Sequence, residues 1–265
     1  MLRYLPALMS LAKLNKYLNK YSAAVIPAQS QKLRVPVVLS DSKGLYLKSS
    51  VSQRVEQNIL WWCESSRKTS KGVNWLKENL PRKIRLLGNI HLYVWLATCD
   101  LTSKTKGGAV SLNPIDQTQD ILEQYQTIIN LVKEYPNSKV TLLKTPLYSI
   151  ARYNQFKGFK SSSKQGEKSK PSFDHDQDKE LQCRILNLNS QIKILNRGLG
   201  RIAPAFNQDV YKSTKRRTQR RQGPPITSMV TKFSLYRDGI HPKIPLAKVW
   251  LRKLELQVFM DCWSR

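Results

Sequence analysis

Val35-Pro36-Val37-Val38-Leu39-Ser40-Asp41-Ser42-Lys43-Gly44 is the stretch on which the fold turns. Its first six residues lack the polar-apolar alternation of a half-solvated strand. A continuous run of this kind reads as a strand buried on both faces, which is a property of parallel sheets. The four residues that follow read as a turn into a helix. Working outward, strand-length apolar runs recur at 58–63 (NILWWC), 91–97 (HLYVWLA) and 139–145 (KVTLLKT), with a weaker one at 201–206 (RIAPAF). Helical patterns lie among them. Residues 48–57 look helical, and 73–80 form a short helix that Pro81 is expected to stop. Over 116–134, Ile121, Leu122, Tyr125, Ile128, Ile129 and Val132 share one stripe. Over 180–199, Leu181, Ile185, Leu188, Ile192, Leu195 and Leu199 recur at steps of four and three. A last amphipathic helix spans 245–259, with Pro245 near its start. This alternation predicts an α/β protein, a three-layer α/β/α sandwich around a mainly parallel sheet of about five strands. Ligands of such sheets bind beyond the carboxyl ends of the strands. The residues to inspect therefore follow positions 40, 97, 145 and 206.

The 265 residues include 45 Lys and Arg against 18 Asp and Glu, a formal charge of +27, and 40% are hydrophobic. That apolar content suffices for a core and excludes a wholly disordered chain. No apolar run approaches the length of a membrane span. Cys63, Cys99, Cys183 and Cys262 form no C-x-x-C pair, which excludes a zinc finger and a disulfide framework. Cys63, Cys99 and Cys183 sit in apolar contexts and read as reduced core thiols, which favours an intracellular site in cytoplasm or nucleus. His91, His175 and His241 are too few for a His-rich metal centre. His91, at the start of a strand, reads as a packed structural residue.

The charge is unevenly placed. The first 40 residues contain no Asp or Glu but carry Arg3, Lys13, Lys16, Lys20, Lys32 and Arg34. They read as a basic tail over 1–33 ahead of a domain over 34–265, with a mitochondrial transit peptide as the alternative. Residues 157–179 read as a mobile polar insertion, and its Asp174-His175-Asp176-Gln177-Asp178 segment as a solvated acidic patch rather than a metal site. A second basic insertion covers 212–227. There Lys212, Lys215, Arg216, Arg217, Arg220 and Arg221 could neutralise phosphates of a nucleic acid or an anionic surface, without sequence specificity. A solvated loop with no partner fits the same residues.

Two short motifs carry chemistry. Ser42 lies on the turn after the first strand, where a hydroxyl can face the cleft as a nucleophile. A serine there is also a common helix N-cap. Asp238 and His241, three apart in Tyr236-Arg237-Asp238-Gly239-Ile240-His241-Pro242, can form a supported base: the carboxylate fixes the imidazole tautomer and the imidazole accepts a hydroxyl proton. An ordinary Asp-Gly turn is the plainer reading of that loop.

Taken together, Asp41-Ser42 after the first strand, D-G-I-H-P before the last helix and the parallel-sheet pattern resemble the SGNH/GDSL hydrolases. The resemblance covers roughly residues 34–260, and 234–254 is its most specific part. It implies Ser42 as nucleophile of an ester or O-acetyl group, His241 as general base and then acid, and Asp238 as its orienting partner, with no metal or organic cofactor. It also implies oxyanion donors at the Ser42 N–H and at a glycine after the second strand, for which Gly72 fits best. The third donor of the family is the Asn of a G-x-N-D pattern. This chain has Ala97-Thr98-Cys99-Asp100, so a thiol replaces the amide, and a thiol is a weak donor. Ser40 also replaces the glycine of the namesake motif. The chain is similar, further, to the esterase-like domains of some non-LTR retrotransposon proteins. The alternative expectation is thus an impaired SGNH-fold protein that binds a polyanion through its basic tail and loops.

Overall fold

A computed structural model describes residues 12, 14–19, 29–52, 54–158, 173–216 and 226–264. In chain order the elements are β1 (Val35–Ser40), α1 (Ser42–Lys48), α2 (Arg54–Gln57), β2 (Leu60–Cys63), α3 (Thr69–Leu87), β3 (Ile90–Trp95), α4 (Thr98–Leu101), β4 (Thr102–Lys104), β5 (Val110–Leu112), α5 (Thr118–Lys133), β6 (Lys139–Leu142), α6 (Ile150–Phe156), α7 (Phe173–Gly198), β7 (Tyr211–Arg216), β8 (Ile226–Thr231) and α8 (Ile244–Cys262). The central sheet has the order β2-β1-β3-β6 and every neighbouring pair is parallel.

Side-chain alternation along the strands makes the three layers. Val37, Leu39, Leu92 and Val94 point to one face and pack with Val73, Leu76 and Leu80 of α3, Ile121 and Tyr125 of α5, and Leu181 and Ile185 of α7. Val38, Tyr93 and Trp95 point to the other face and pack with Leu47 of α1 and Leu246, Trp250 and Leu254 of α8. Because both faces are covered, the strands need no polar side, which is why they read as unbroken apolar runs. Within the expected tail, residues 14–19 are helical, and Leu14 is buried in this second cluster.

Several elements depart from the sequence reading. Helix α3 runs through Pro81 instead of ending there. Pro81 and Lys77, whose carbonyl loses its i+4 donor, both lie on the exposed face, so the carbonyl without its helical partner is not buried. The helix expected over 48–57 divides into α1 and α2, because Asp41 caps a helix that begins at Ser42. The sheet has four strands, not five: residues 201–205 are not a strand, and Ile202 is exposed. The outer edge of β6 is instead occupied by asparagine side chains. Asn196 bonds both the N–H (2.9 Å) and the carbonyl (2.7 Å) of Leu142, and Asn189 does the same at Thr145 (2.8 and 2.8 Å). Residues 173–179, read as part of an insertion, open α7, while 159–172 lie outside the described residues. The segment read as a basic loop includes β7, which pairs with β8 in an antiparallel hairpin.

Strand order reverses between β1 and β3, since β2 lies to one side and β6 to the other. The crevice at such a switch point, beyond the carboxyl ends, is where this architecture holds its ligands.

Candidate active site

The turn after β1 sets the first functional side chain. Asp41, not Ser42, is the N-cap of α1: its Oδ1 accepts from the Lys43 N–H at 2.9 Å. The Gly44 N–H is taken by the Asp41 carbonyl (3.1 Å) and the Ser40 hydroxyl (3.2 Å). Ser42 therefore stands at the first helical position with its hydroxyl not spent on capping, and its own N–H is one that a helix leaves for an external acceptor. Ser40 is buried and also donates to the Trp95 carbonyl at 2.9 Å, tying β1 to β3 at their carboxyl ends. Close packing here requires Gly44, because a Cβ would lie 2.5 Å from Cys63 Sγ and 2.6 Å from Ser40 Cβ.

Ser42 Oγ lies 3.0 Å from His241 Nε2, and His241 Nδ1 lies 2.7 Å from Asp238 Oδ2. The other carboxylate oxygen, Oδ1, accepts from the N–H groups of Ile240 (3.0 Å) and His241 (2.8 Å). Burial alone would raise the Asp238 carboxyl. The hydrogen bonds and charge of His241, with the Ile240 N–H, outweigh burial and hold it below its ordinary range. Gly239 makes this tight loop possible. It has φ of +91°, and its carbonyl accepts from the Ser149 N–H at 3.0 Å, which docks the loop on the start of α6.

The three side chains form a continuous hydroxyl–imidazole–carboxylate relay. Ser42 and His241 open on a cavity of about 380 Å³, also lined by Ser66, Lys68, Cys99, Val110, Tyr153 and Ile240. The hairpin β4–β5 contributes part of its wall.

The turn after β3 faces Ser42. Ala97 has φ of +80°, a left-handed conformation that glycine adopts without cost and alanine does not. Cys99 lines the cavity and is half-buried. Burial, reinforced by the negative charge of Asp41, pushes its thiol up to about 12, so it is neutral at ordinary pH. That argues against Cys99 as a nucleophile, since the thiolate is the reactive form. Asp100 caps α3 from outside: it accepts from the Thr69 N–H (3.0 and 3.1 Å) and hydroxyl (2.8 Å). Beneath both turns lies a fully buried ion pair. Lys43 Nζ is 2.5 Å from Asp41 Oδ2, bonds the Thr98 hydroxyl, and sits 5.5 Å from the Trp95 ring centroid.

Gly72 does not join the site. It lies inside α3, its N–H donates to the Lys68 carbonyl at 3.1 Å, and its α-carbon faces Leu96 and Leu39. After β2 the cavity is lined by Ser65, Ser66 and Lys68, and Ser66 has φ of +61°. No glycine marks this left-handed position. Tyr46, stacked on the His241 ring, was also missed.

Asp178 is not merely solvated: it accepts from the Ser149 hydroxyl (2.5 Å) and the Ile150 N–H (2.6 Å) at the start of α6. Cys183 is exposed rather than a core thiol, while Cys262 is buried. His91 is buried, as expected of a packed residue. Among the described residues no cluster of three or more His, Cys, Asp or Glu is placed to hold a metal, and no helix is long and apolar enough to cross a membrane. Of the basic cluster, Lys212, Lys215 and Arg216 lie on β7. Arg217, Arg220 and Arg221 lie outside the described residues.

No protein-family model and no curated protein matches the chain. A solved GDSL-like lipase from Bacteroides thetaiotaomicron aligns over 94% of this chain and 96% of its own, with a TM-score of 0.53 and 12% identity. A lipase/acylhydrolase from Enterococcus faecalis covers 86% of this chain and 97% of its own, with a TM-score of 0.49 and 10% identity. With the parallel four-stranded sheet and its flanking helices, the first likeness establishes the architecture: this chain has the fold of the SGNH/GDSL hydrolases.

Proposed function

We propose that the chain is a serine ester hydrolase that cleaves an ester or O-acetyl group through an acyl-enzyme on Ser42. The observation that carries this reading is the relay of 3.0 Å from Ser42 Oγ to His241 Nε2 and 2.7 Å from Nδ1 to Asp238, opening on a cavity. His241 takes the hydroxyl proton as Oγ attacks the carbonyl carbon, and Asp238 steadies the imidazolium that results. The oxyanion is held by the N–H groups of Ser42 and Ser66. His241 then gives its proton to the leaving alcohol oxygen. Water enters, loses a proton to His241 and attacks the acyl carbon. The acyl–Oγ bond breaks and the proton returns to Ser42. The apolar walls at Val110, Tyr153 and Ile240 suit the acyl chain, and Lys68 and Lys104 stand on the same cavity.

Hydrolysis of p-nitrophenyl acetate by the wild type beside Ser42→Ala tests this. Turnover that falls by about 10³ or more in Ser42→Ala is expected, because the attacking atom is gone. A fluorophosphonate should also add one label, on Ser42. Equal turnover in the two proteins, or no turnover and no label in the wild type, would refute the serine reading. The second of these outcomes would direct attention to the basic residues at 212–221.

A further inference from the structure

We infer that Tyr46 is a positioning residue for His241, holding the imidazole in the plane that both of its hydrogen bonds require; the inference rests on the serine-hydrolase reading above. Tyr46 lies four residues after Ser42 on α1, one helical turn along the same face. The short helix that presents the hydroxyl thus also presents an aromatic wall. The rings of Tyr46 and His241 have centroids 4.5 Å apart and planes inclined by only 25°.

The geometry explains what this wall adds. The bonds from His241 to Ser42 and Asp238 run from two ring nitrogens that flank Cε1. They fix the ring's direction but not its tilt about the line joining Oγ and Oδ2. A parallel aromatic face blocks that tilt. The same face attracts a cation, so it favours the imidazolium formed as Ser42 gives up its proton. It also covers one side of a ring whose side chain is only 16% exposed. Tyr46 is not among the residues lining the cavity. Its removal should therefore change the catalytic step and not substrate binding.

The test compares Tyr46→Phe and Tyr46→Leu with wild type by steady-state hydrolysis of p-nitrophenyl acetate and by NMR of the imidazole C–H protons. The chain has only three histidines, so His241→Gln suffices to assign the His241 signals. Tyr46→Phe keeps the face and should hold kcat within about twofold. Tyr46→Leu should lower kcat about tenfold, within the range expected for loss of a ring–cation contact, with KM little changed. In NMR the His241 protons, shifted upfield by the facing ring in wild type and Tyr46→Phe, should move downfield in Tyr46→Leu. Equal kcat for Phe and Leu variants, a loss confined to KM, or an unmoved His241 signal overturns the role of Tyr46 while leaving a Ser42-dependent wild-type activity intact. A wild type with no Ser42-dependent turnover overturns the hydrolase reading and this inference together.

Discussion

On the proposed serine mechanism, replacing Cys99 by Asn should speed ester hydrolysis. The residue stands on the turn facing Ser42, in the cavity that Ser42 and His241 share. Its thiol is pushed up to about 12 by burial and by Asp41, so it offers only a neutral S–H, a weak donor. An amide at this point would donate to the oxyanion in addition to the two backbone groups. One such side-chain donor is worth about 10²–10³ in turnover, or about 2.7–4 kcal/mol. The turn is already braced to present it. Asp100 is held by three hydrogen bonds from Thr69, and the Thr98 carbonyl accepts from the Tyr148 hydroxyl at 3.0 Å. Because the proposed mechanism already has two donors, the low end is expected: kcat should rise about 100-fold. KM should change little, because the new bond strengthens as charge develops on the oxygen. The assay is steady-state hydrolysis of p-nitrophenyl acetate at neutral pH, with active sites counted by phosphonate labelling and Cys99→Ala as the control expected to match wild type. If Cys99→Asn melts like wild type yet has the kcat of Cys99→Ala, no oxyanion forms beside residue 99 and the reasoning fails.

Three further outcomes follow from the same geometry. Lys43→Met strands the buried Asp41 carboxylate and should cost about 3–5 kcal/mol in urea denaturation. Adding Asp41→Asn removes the stranded charge, keeps the cap and should recover most of the loss; failure to recover would mean the charge pairing is not what matters. Gly239→Ala forces a Cβ to 2.8 Å from Arg152 Cβ and 2.9 Å from the Ser149 carbonyl at φ of +91°, and should displace His241. An approximately 100-fold loss of turnover is expected from a displacement near 1 Å, and wild-type rates would contradict it. His91 is held well below its ordinary value of 6.5, chiefly by burial and then by the charges of Arg201, Arg34 and Lys139. The Asp261 carboxylate 3.6 Å away does not offset these. The unfolded chain therefore binds a proton that the folded one refuses, so stability is lost as pH falls below 6.5. That loss should show as the part of the pH dependence of denaturation below 6.5 that disappears in His91→Gln.

The parts of the fold and site that were legible in the sequence are those set by local patterns. The unbroken run at 35–40 is β1, and the four-and-three spacing over 180–199 falls within α7 except for its last residue, Leu199. Ser42, Asp238 and His241 could be singled out because a strand-to-helix turn and a D-x-x-H loop, each ambiguous alone, occur together in the chain order of the SGNH/GDSL pattern. What was missed depends on contacts distant in the chain. Ser66 takes a left-handed conformation that its side chain does not announce. Tyr46 matters only because His241, 195 positions away, lies against it. The expected fifth strand failed because its partner edge was already occupied by α7, and nothing in 201–206 records that. The hairpin at 211–231 was hidden by a charge run that reads equally well as a loop.

The asparagines of α7 amount to a clasp. Asn189 and Asn196 are seven residues apart on a helix, which spans about 10.5 Å at 1.5 Å per residue. Leu142 ends β6, and Thr145 lies three residues further on, past the strand. From its two positions the helix answers the last residue of the strand and the chain just beyond it with side-chain amides, imitating a neighbouring strand. An incoming extended peptide would find the N–H and C=O groups of Leu142 and Thr145 already answered, so the sheet cannot grow by pairing at the carboxyl end of β6.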